Sequence, residues 1–483
     1  MRKYKTMLYI GVMLIILTGC GKEDKVEYVT ETNTPTDSID SDISMDSVAD
    51  KIGFDEELWE EAVDDSTVKR IYANVTVPDV TGMKVIDVEM LNHQESPEAK
   101  ENILKAFAEG EIYRFDEGYI PKPYYQADVD YYQSVIDANG DNMDEWVLGK
   151  YNQLFETYNN APDDYVVADD FEPNSYRIDY DNLNMLVSFR RYNEYGTSNN
   201  SIMFTLEDTN SLVEEPNKNV MVEYGAGGEY LSDDNRCTMT VEEAQEKAED
   251  FVAKFNAGDF EVVGIEQIEF NVYYGELGGY IYTETENYYD GYVFHFFRSI
   301  DGVTVDGNIY HATSDAIKQA LDAAGEDLTE AYTYTPVNSM EQITVFVNDK
   351  GVFDATYNSP VQIKEVVADN VNLLSYDNVK NVIIEEMLNK DYYKYVTLRH
   401  MELTYFLWHD KINDKYSIVP VWRASDDSPQ TMLYESMLFG YGDTHFIVAN
   451  AMDGSIINVG EQMISFYKYE PEETYASDEY VTE

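Results

Sequence analysis

Residues 240–270 read TVEEAQEKAEDFVAKFNAGDFEVVGIEQIEF, and this stretch decides the fold class. It opens on the capping box Thr240-Val241-Glu242-Glu243, in which a hydroxyl and a carboxylate satisfy free backbone amides at a helix start. Apolar residues then recur at spacings of three and four, at Ala244, Ala248, Phe251, Val252 and Phe255. Gly258 ends this pattern, and strand-like residues follow from Phe260 to Tyr274. The stretch predicts an amphipathic helix that packs one face on a sheet.

Two further helices have boundaries of the same kind. Ser96-Pro97 places a proline at the first helical position, ahead of apolar residues that end at Gly110. Another helix is predicted from Ser375 to Lys390. Shorter helices are predicted at 56–63 and 315–324.

The strand-like segments are joined by turn sequences typical of hairpins. Besides Phe260–Tyr274, the strands are predicted at 291–300, 342–347, 352–357, 395–408, 416–423, 444–449 and 455–459. The turns are Asp301-Gly302, Asp349-Lys350-Gly351 and Asp453-Gly454. We therefore expect an α+β fold with antiparallel sheets.

The order helix, long strand, strand with a basic or aromatic end, strand, Gly turn, strand occurs twice, at 240–357 and at 375–459. Phe294-His295-Phe296-Phe297-Arg298 corresponds to Val419-Pro420-Val421-Trp422-Arg423. We interpret this as two related modules, each with a helix packed on an antiparallel sheet. The predicted domains are an N-terminal α+β region (51–235), an α+β module (236–360) and a C-terminal α+β module (361–468). The first region is consistent with a third, divergent module in which Asp179–Arg191 is a strand.

The N-terminus has the pattern of an export signal. Arg2, Lys3 and Lys5 precede an apolar run from Met7 to Leu17. That run is too short to span a bilayer, which needs about 20 apolar residues. Leu17-Thr18-Gly19-Cys20 resembles the lipobox of bacterial lipoproteins, which implies cleavage after Gly19 and a diacylglycerol on Cys20. An ordinary secretory signal or a single N-terminal membrane anchor are the alternatives, and each also predicts an extracytoplasmic body.

Two segments of the chain have the composition of disordered sequence. Residues 20–50 are rich in Lys, Glu, Asp, Ser and Thr, and we expect a flexible acidic tether there. Residues 469–483 predict a disordered acidic tail. With residues 1–19 as the signal peptide, we expect the folded body to lie between these segments and outside the cytoplasm.

Charge limits the partners of this body. The 483 residues include 93 acidic and 33 basic ones, a formal net charge of −60. Such a charge repels phosphates, so nucleic acid is excluded as a partner. The chain also has 42 tyrosines, some in pairs such as Tyr124-Tyr125 and Tyr131-Tyr132. Tyrosine is common both on binding surfaces and in half-buried strands.

Motifs for catalysis are missing from the sequence. The histidines do not show the His-Glu-x-x-His spacing, and His295, His409 and His445 read as hydrogen-bonded residues of apolar strands. Cys237 has no disulfide partner once Cys20 is lipidated, and we interpret it as a structural or incidental cysteine and not as a nucleophile. With 93 carboxylates, no glycosidase pair can be singled out. We therefore name no catalytic residue and expect no cofactor.

One segment has partial calcium-loop chemistry. Asp137, Asn139 and Asp141 fall at positions 1, 3 and 5 of such a loop, whereas Leu148 stands where a bidentate glutamate is expected. The alternative is a solvated Asn139-Gly140 turn.

The C-terminal module carries a resemblance to known families. Tyr416-Ser417-Ile418-Val419-Pro420-Val421-Trp422 and the later segment from Ile447 to Ile457 resemble the ending of uncharacterised Firmicutes lipoproteins of the DUF6034 group. The helix-then-sheet modules are similar to PepSY-type and YycI-like extracytoplasmic domains. The first resemblance implies a lipid-anchored protein at the outer face of the cytoplasmic membrane of a Gram-positive bacterium, and the second implies protein contacts.

Two functions follow as hypotheses. The first is a non-enzymatic envelope lipoprotein, held to the membrane by the lipid on Cys20, that binds a protein or peptide. The second is a surface protein that binds or degrades glycans.

Overall fold

A computed structural model describes the chain from residue 46 to residue 468, with gaps. The described residues are 46–63, 69–140, 145–192, 199–212, 219–227, 234–275, 282–307, 310–311, 332–334, 337–338, 340–390, 393, 395–410, 413, 415–426, 446–457 and 466–468. Strands outnumber helices among them, and the fold is α+β as predicted.

The described helices are α1 (Val48–Ile52), α2 (Pro97–Phe107), α3 (Lys122–Asn139), α4 (Glu145–Asn160), α5 (Val241–Ala253) and α6 (Tyr376–Asn389). The strands of the first half are β1 (Leu58–Ala62), β2 (Arg70–Thr76), β3 (Val85–Met90), β4 (Tyr113–Arg114), β5 (Ser175–Tyr180), β6 (Leu183–Tyr192), β7 (Asn199–Leu206), β8 (Asn219–Ala226), β9 (Phe260–Gly275), β10 (Tyr282–Ile300) and β11 (Val303–Asp306). Those of the second half are β12 (Tyr310–His311), β13 (Tyr332–Tyr334), β14 (Val337–Asn338), β15 (Gln342–Asn348), β16 (Gly351–Asn358), β17 (Val361–Ala368), β18 (Thr397–Asp410), β19 (Lys415–Ser425), β20 (Phe446–Asn450), β21 (Ile456–Ile457) and β22 (Phe466–Lys468).

Nine of these strands form an antiparallel sheet, which we call the large sheet. Its order is β4-β5-β6-β7-β16-β15-β10-β9-β8. Alternate residues point to one face, where α2 and α5 cover them. Phe107 of α2 lies 4.7 Å from Phe251 of α5, measured between ring centroids, and Phe255 lies 4.9 Å from Tyr357 of β16. These rings form the centre of the first apolar core.

A second sheet, the mixed sheet, is built around β18 and β19. These two strands form an antiparallel hairpin. The other edge of β18 pairs in parallel with β2 and then with β11. The other edge of β19 pairs with β3 and with β20, to which β17 and β21 are added. The expectation of purely antiparallel sheets is therefore wrong at β2 and β11.

The pairing also departs from the predicted linear domains of 51–235, 236–360 and 361–468. Strands β1, β2 and β3 belong to the mixed sheet with residues from beyond 361, whereas β4–β8 share the large sheet with β9, β10, β15 and β16. Strand partners need not be close in sequence, and local patterns do not specify them. The hairpin of β10 and β11 connects the two sheets.

The repeated order of elements seen in the sequence is present in the structure. The first unit is α5 followed by β9, β10, β15 and β16, paired in that order. The second unit is α6 followed by β18, β19, β20 and β21, also paired in that order. In the first unit Phe255, two residues after the end of α5, contacts Tyr357 of the sheet, and in the second Tyr376 of α6 contacts Trp422 of β19.

Some of the helices and strands predicted from the sequence are confirmed and others are wrong. The helices begun by Ser96, Thr240 and Ser375 are confirmed, and each cap residue accepts a backbone hydrogen bond. The helix predicted at 56–63 is wrong, because Leu58–Ala62 is β1, whose Trp59 is buried. The strand predicted at 179–191 is instead two strands with a turn at Asp181-Asn182, both at positive φ. The helix predicted at 315–324 lies outside the described residues.

The predicted tether is shorter than 20–50. Ser47 accepts from the backbone of Asp50 in a capping box, and this fixes the start of α1 at Val48. Residues 20–45, the signal peptide at 1–19, Cys20 and the tail at 469–483 lie outside the described residues. Within the described part of the chain, helices are too short or too polar to cross a membrane.

Candidate functional site

Helices α3 and α4 form a hairpin that the sequence analysis did not predict. Its base is closed where Lys122 N donates to Pro162 O at 2.9 Å and Lys122 Nζ lies 2.5 Å from Asp163 Oδ1. Tyr124 packs edge-on against Phe115, with ring centroids 5.0 Å apart. The hairpin is thus attached through its base to the β4 side of the large sheet.

The two helices are joined by polar contacts that repeat every seven residues. The Tyr158 hydroxyl donates to Gln126 Oε1 at 2.8 Å, and the Tyr151 hydroxyl donates to Gln133 Oε1 at 2.7 Å. Each glutamine in turn donates through Nε2 to a carboxylate four residues ahead, Asp130 and Asp137 respectively. A seven-residue repeat returns side chains to nearly the same helix face, so both relays lie along one seam.

Aromatic rings follow the same seam on α4. Phe155 is stacked between Tyr151 and Tyr158, with centroid distances of 5.4 and 6.3 Å and interplanar angles of 17° and 14°. Phe155 is 40% exposed, and Trp146, which lies five residues before Tyr151 and on another face of α4, is 52% exposed. In the whole of α4 not one residue is buried. A helix of a soluble protein normally buries an apolar stripe, so this one presents apolar area without covering it.

The hairpin is also strongly acidic. Residues 122–160 contain two lysines and seven aspartates or glutamates. Partial burial raises the pKa of Asp128, on the α3 side near Tyr124. Exposed rings surrounded by negative charge are suited to cationic side chains, which interact with both the ring face and the carboxylates. We call residues 122–160 the aromatic hairpin.

An arginine and two tyrosines stabilise the sheet beside the base of the aromatic hairpin. Arg177 of β5 ion-pairs with Glu207 at 2.8 Å, and its guanidinium carbon lies 4.5 Å from the ring centre of Tyr165 and 5.3 Å from that of Tyr113. The Tyr165 hydroxyl donates to the same Glu207. The Arg177 side chain is 10% exposed, so this cluster holds the base rigid and offers little surface of its own.

The calcium candidates fall at the tip of the aromatic hairpin. Asp137 and Asn139 are in the last turn of α3, and Gly140 follows at φ 53°. Asp137 accepts from Gln133, while Asp141 lies outside the described residues. The described residues contain no group of three or more His, Cys, Asp or Glu side chains placed to hold a metal. Calcium therefore stays a prediction that depends on Asp141.

The large sheet buries a polar pair on its strands. His295 Nε2 lies 2.8 Å from Glu266 Oε1, and His295 Nδ1 lies 3.3 Å from Thr344 Oγ1. Both His295 and Glu266 have no exposed surface. This confirms the interpretation of His295 as a hydrogen-bonded strand residue, and its burial keeps it from any substrate. His409 stacks on Tyr416 at 4.1 Å, and His445 lies outside the described residues.

Cys237 is hydrogen-bonded to the turn after β15. Its thiol donates to Asp349 Oδ1 at 3.4 Å, and the same carboxylate accepts from the backbone of Thr238 and Met239. Burial raises the pKa of Cys237 to about 12, so the thiolate needed of a nucleophile is scarce at neutral pH. The structural role expected of Cys237 agrees with these contacts.

Two further carboxyl groups, Asp354 and Glu402, have raised pKa values that the sequence did not indicate. Burial raises the pKa of Asp354 to about 7, although its oxygen accepts from the Tyr224 hydroxyl at 2.7 Å. Burial also raises the pKa of Glu402, which pairs with Arg423. Tyr224 comes from β8 and Asp354 from β16, so only the tertiary fold brings them together.

Comparison with known proteins adds little to this geometry. No family model and no curated protein matches the chain. A crystal structure of an uncharacterized protein from Eubacterium rectale is similar at 14% identity and a TM-score of 0.38, over 84% of this chain and 94% of that one. A likeness at that level carries no argument about fold or function. Membership of the DUF6034 group stays a prediction.

Proposed function

We propose that this chain is a non-enzymatic envelope lipoprotein that binds a basic segment of another protein on its aromatic hairpin. Cys20 carries the lipid that holds it at the outer face of the membrane, and the acidic body extends from it. The observation that carries the binding function is α4, which has no buried residue while it exposes Trp146 and Phe155.

The chemistry of the partner follows from the surface. Lysine and arginine can lie over the exposed rings, where a cation on an aromatic face contributes about 0.5–1 kcal/mol at exposed sites. The acidic residues of the hairpin attract the same groups over about 8 Å at physiological ionic strength. The resemblance to YycI-like and PepSY-type modules favours a protein partner as well.

The experiment compares three chains in one capture assay. Full-length chain is cross-linked in envelope extracts, once as wild type and once as Trp146→Ala/Phe155→Ala. The control is Tyr395→Ala, a 73% exposed tyrosine distant in sequence from the hairpin. We expect the double variant to lose a captured protein that the wild type and the control retain. Added salt should weaken the capture of this protein by the wild type. If the same proteins are captured by all three, the hairpin is not the binding surface.

A second candidate is a glycan ligand, which the same exposed rings favour because sugars stack on aromatic faces. A glycan array with a turnover assay distinguishes it. Binding to neutral glycans that is lost in Trp146→Ala/Phe155→Ala and unaffected by salt would replace the protein partner by a carbohydrate.

A further inference from the structure

Strand β17 is an edge of the mixed sheet and has unusual exposure. It pairs with β3 through Val361↔Met90 to Ala368↔Val85, and no other described strand pairs with it. Its six central residues are exposed, and only its two end residues, Val361 and Ala368, are buried. Both faces of these residues are therefore exposed, and none of the described strands covers the second edge.

The exposed positions include apolar, β-branched residues. Ile363 is 42% exposed, Val366 50% and Val367 41%. An edge of this kind is a template for pairing with another strand, and proteins usually protect such edges with charges. Here the charges are a single adjacent pair, Lys364 and Glu365, which are of opposite sign.

The sequence of β17 is complementary to itself. In an antiparallel pair centred between Lys364 and Glu365, Lys364 of one copy lies opposite Glu365 of the other. In the same register, Ile363 lies opposite Val366. Directly opposed side chains in antiparallel strands have Cβ atoms about 4.5–5.5 Å apart, so both contacts are close. A twofold axis generates each contact twice, as an isologous dimer requires.

We propose that two copies of this chain associate through β17, joining their mixed sheets into one continuous sheet. Lys364 also ion-pairs with Glu89 of β3 in its own chain, a contact that Glu365 of the second copy would have to share or replace. The β17–β3 pairing is irregular after Ile363 and after Val366, and such bulges increase twist and shorten the length that can pair. The dimer is accordingly weak and reversible. Because each copy has a net charge of −60, its association strengthens as salt screens the repulsion.

The first test measures mass against concentration and ionic strength. Full chain in a mild detergent should rise from 55.5 kDa toward twice that mass as either is increased. Lys364→Glu places like charges opposite each other and should remain monomeric, and Lys364→Glu/Glu365→Lys should dimerise again. Lys105→Glu, the same charge change on α2, is the control and should dimerise like wild type. A wild type that stays monomeric throughout, or a Lys364→Glu variant that dimerises equally, overturns the proposal.

The second test reads the register. Ile363→Cys and Val366→Cys chains are prepared separately, each with Cys20→Ser and Cys237→Ser. Mixed and oxidised, they should give a covalent dimer, because the two positions face each other within disulfide range, about 4.4–6.8 Å between Cα atoms. Either chain alone should give no covalent dimer. In this register the same position in the two copies is offset by three residues along the paired strands, which is too far for a disulfide. Equal cross-linking in all samples, or none in the mixture, contradicts the pairing.

Discussion

The two repeated units keep the same order of elements but fill their interiors differently. At corresponding positions, Arg298 and Arg423 are both buried, at 1% and 2% exposure. Arg298 makes a two-point ion pair with Glu341, and this carboxylate also accepts from Tyr357 and from Val361 N. Arg423 is instead shared between Asp306 and Glu402.

A second difference lies three residues earlier. The first unit has His295 there, bonded to Glu266, and the second has Pro420, whose ring needs no partner. Strands in the same order can therefore have a polar or an apolar residue at the same buried position, provided that each buried polar group has a partner. Four predictions test how far the two units differ.

The largest effect is expected at Arg298. Arg298→Met leaves Glu341 buried without its countercharge, which should lower the free energy of unfolding by about 3–5 kcal/mol. Arg423→Met should cost a similar amount, because it takes the Arg423 contact from Asp306, whose side chain is only 1% exposed, as well as from Glu402, whose side chain is 29% exposed. Urea denaturation of the two variants measures both losses. A much smaller loss at Arg423 would show that sharing one arginine between two carboxylates stabilises less than the two-point pair of Arg298 and Glu341.

The next effect concerns the polar pair that only the first unit has. Glu266→Leu leaves a nitrogen of buried His295 without this acceptor, at an expected cost of about 1–3 kcal/mol. The matched control is Glu246→Leu on the exposed face of α5, which should change stability little. The same denaturation experiment measures both, and similar values would mean that the His295 contact contributes nothing.

Asp354 gives the first unit a specific pH dependence. Its folded pKa of about 7 lies above the unfolded value of about 3.9. The folded state therefore binds more protons, so this group makes the free energy of unfolding fall as pH rises from about 4 to 7. Asp354→Asn should remove that decline from a series of urea titrations, and Asp250→Asn on α5 should not. An unchanged slope in Asp354→Asn refutes the assignment.

The smallest effect distinguishes the helix starts. Thr240→Ala removes a reciprocal capping box and should cost about 1 kcal/mol, whereas Ser375→Ala loses a single, longer hydrogen bond of 3.4 Å. We expect a larger fall in melting temperature for Thr240→Ala. The reverse order would indicate that packing, and not capping, fixes these boundaries.

Sequence patterns predicted those parts of the fold that depend on neighbouring residues. The caps at Ser96, Thr240 and Ser375 and the glycine turns are local, and they were read correctly. The turn at Asp181-Asn182 was missed because it lacks glycine, and the parallel pairing of β2 with β18 has no local trace.

The aromatic hairpin was missed for another reason. Val147, Tyr151, Leu154 and Tyr158 do have helical spacing, but the surrounding sequence is mostly polar and has few apolar residues to bury. The tyrosine–glutamine–aspartate relays replace an apolar seam there, and such relays have no familiar sequence pattern. The tyrosine pairs at 124–125 and 131–132 belong to this hairpin. The abundance of tyrosine therefore indicated a candidate surface, although the sequence did not indicate the helices that carry it.

The parallel pair of β2 and β18 has a consequence for how the molecule is made. Arg70 is held opposite Thr397, so β2 is synthesised more than 300 residues before its partner strand. Contacts of such long sequence separation slow folding, and the unpaired β2 is exposed to aggregation in the meantime. The large sheet, whose last strand ends at Asn358, can assemble sooner. The mixed sheet is thus completed last, when β18 and β19 have been synthesised and β18 pairs with β2.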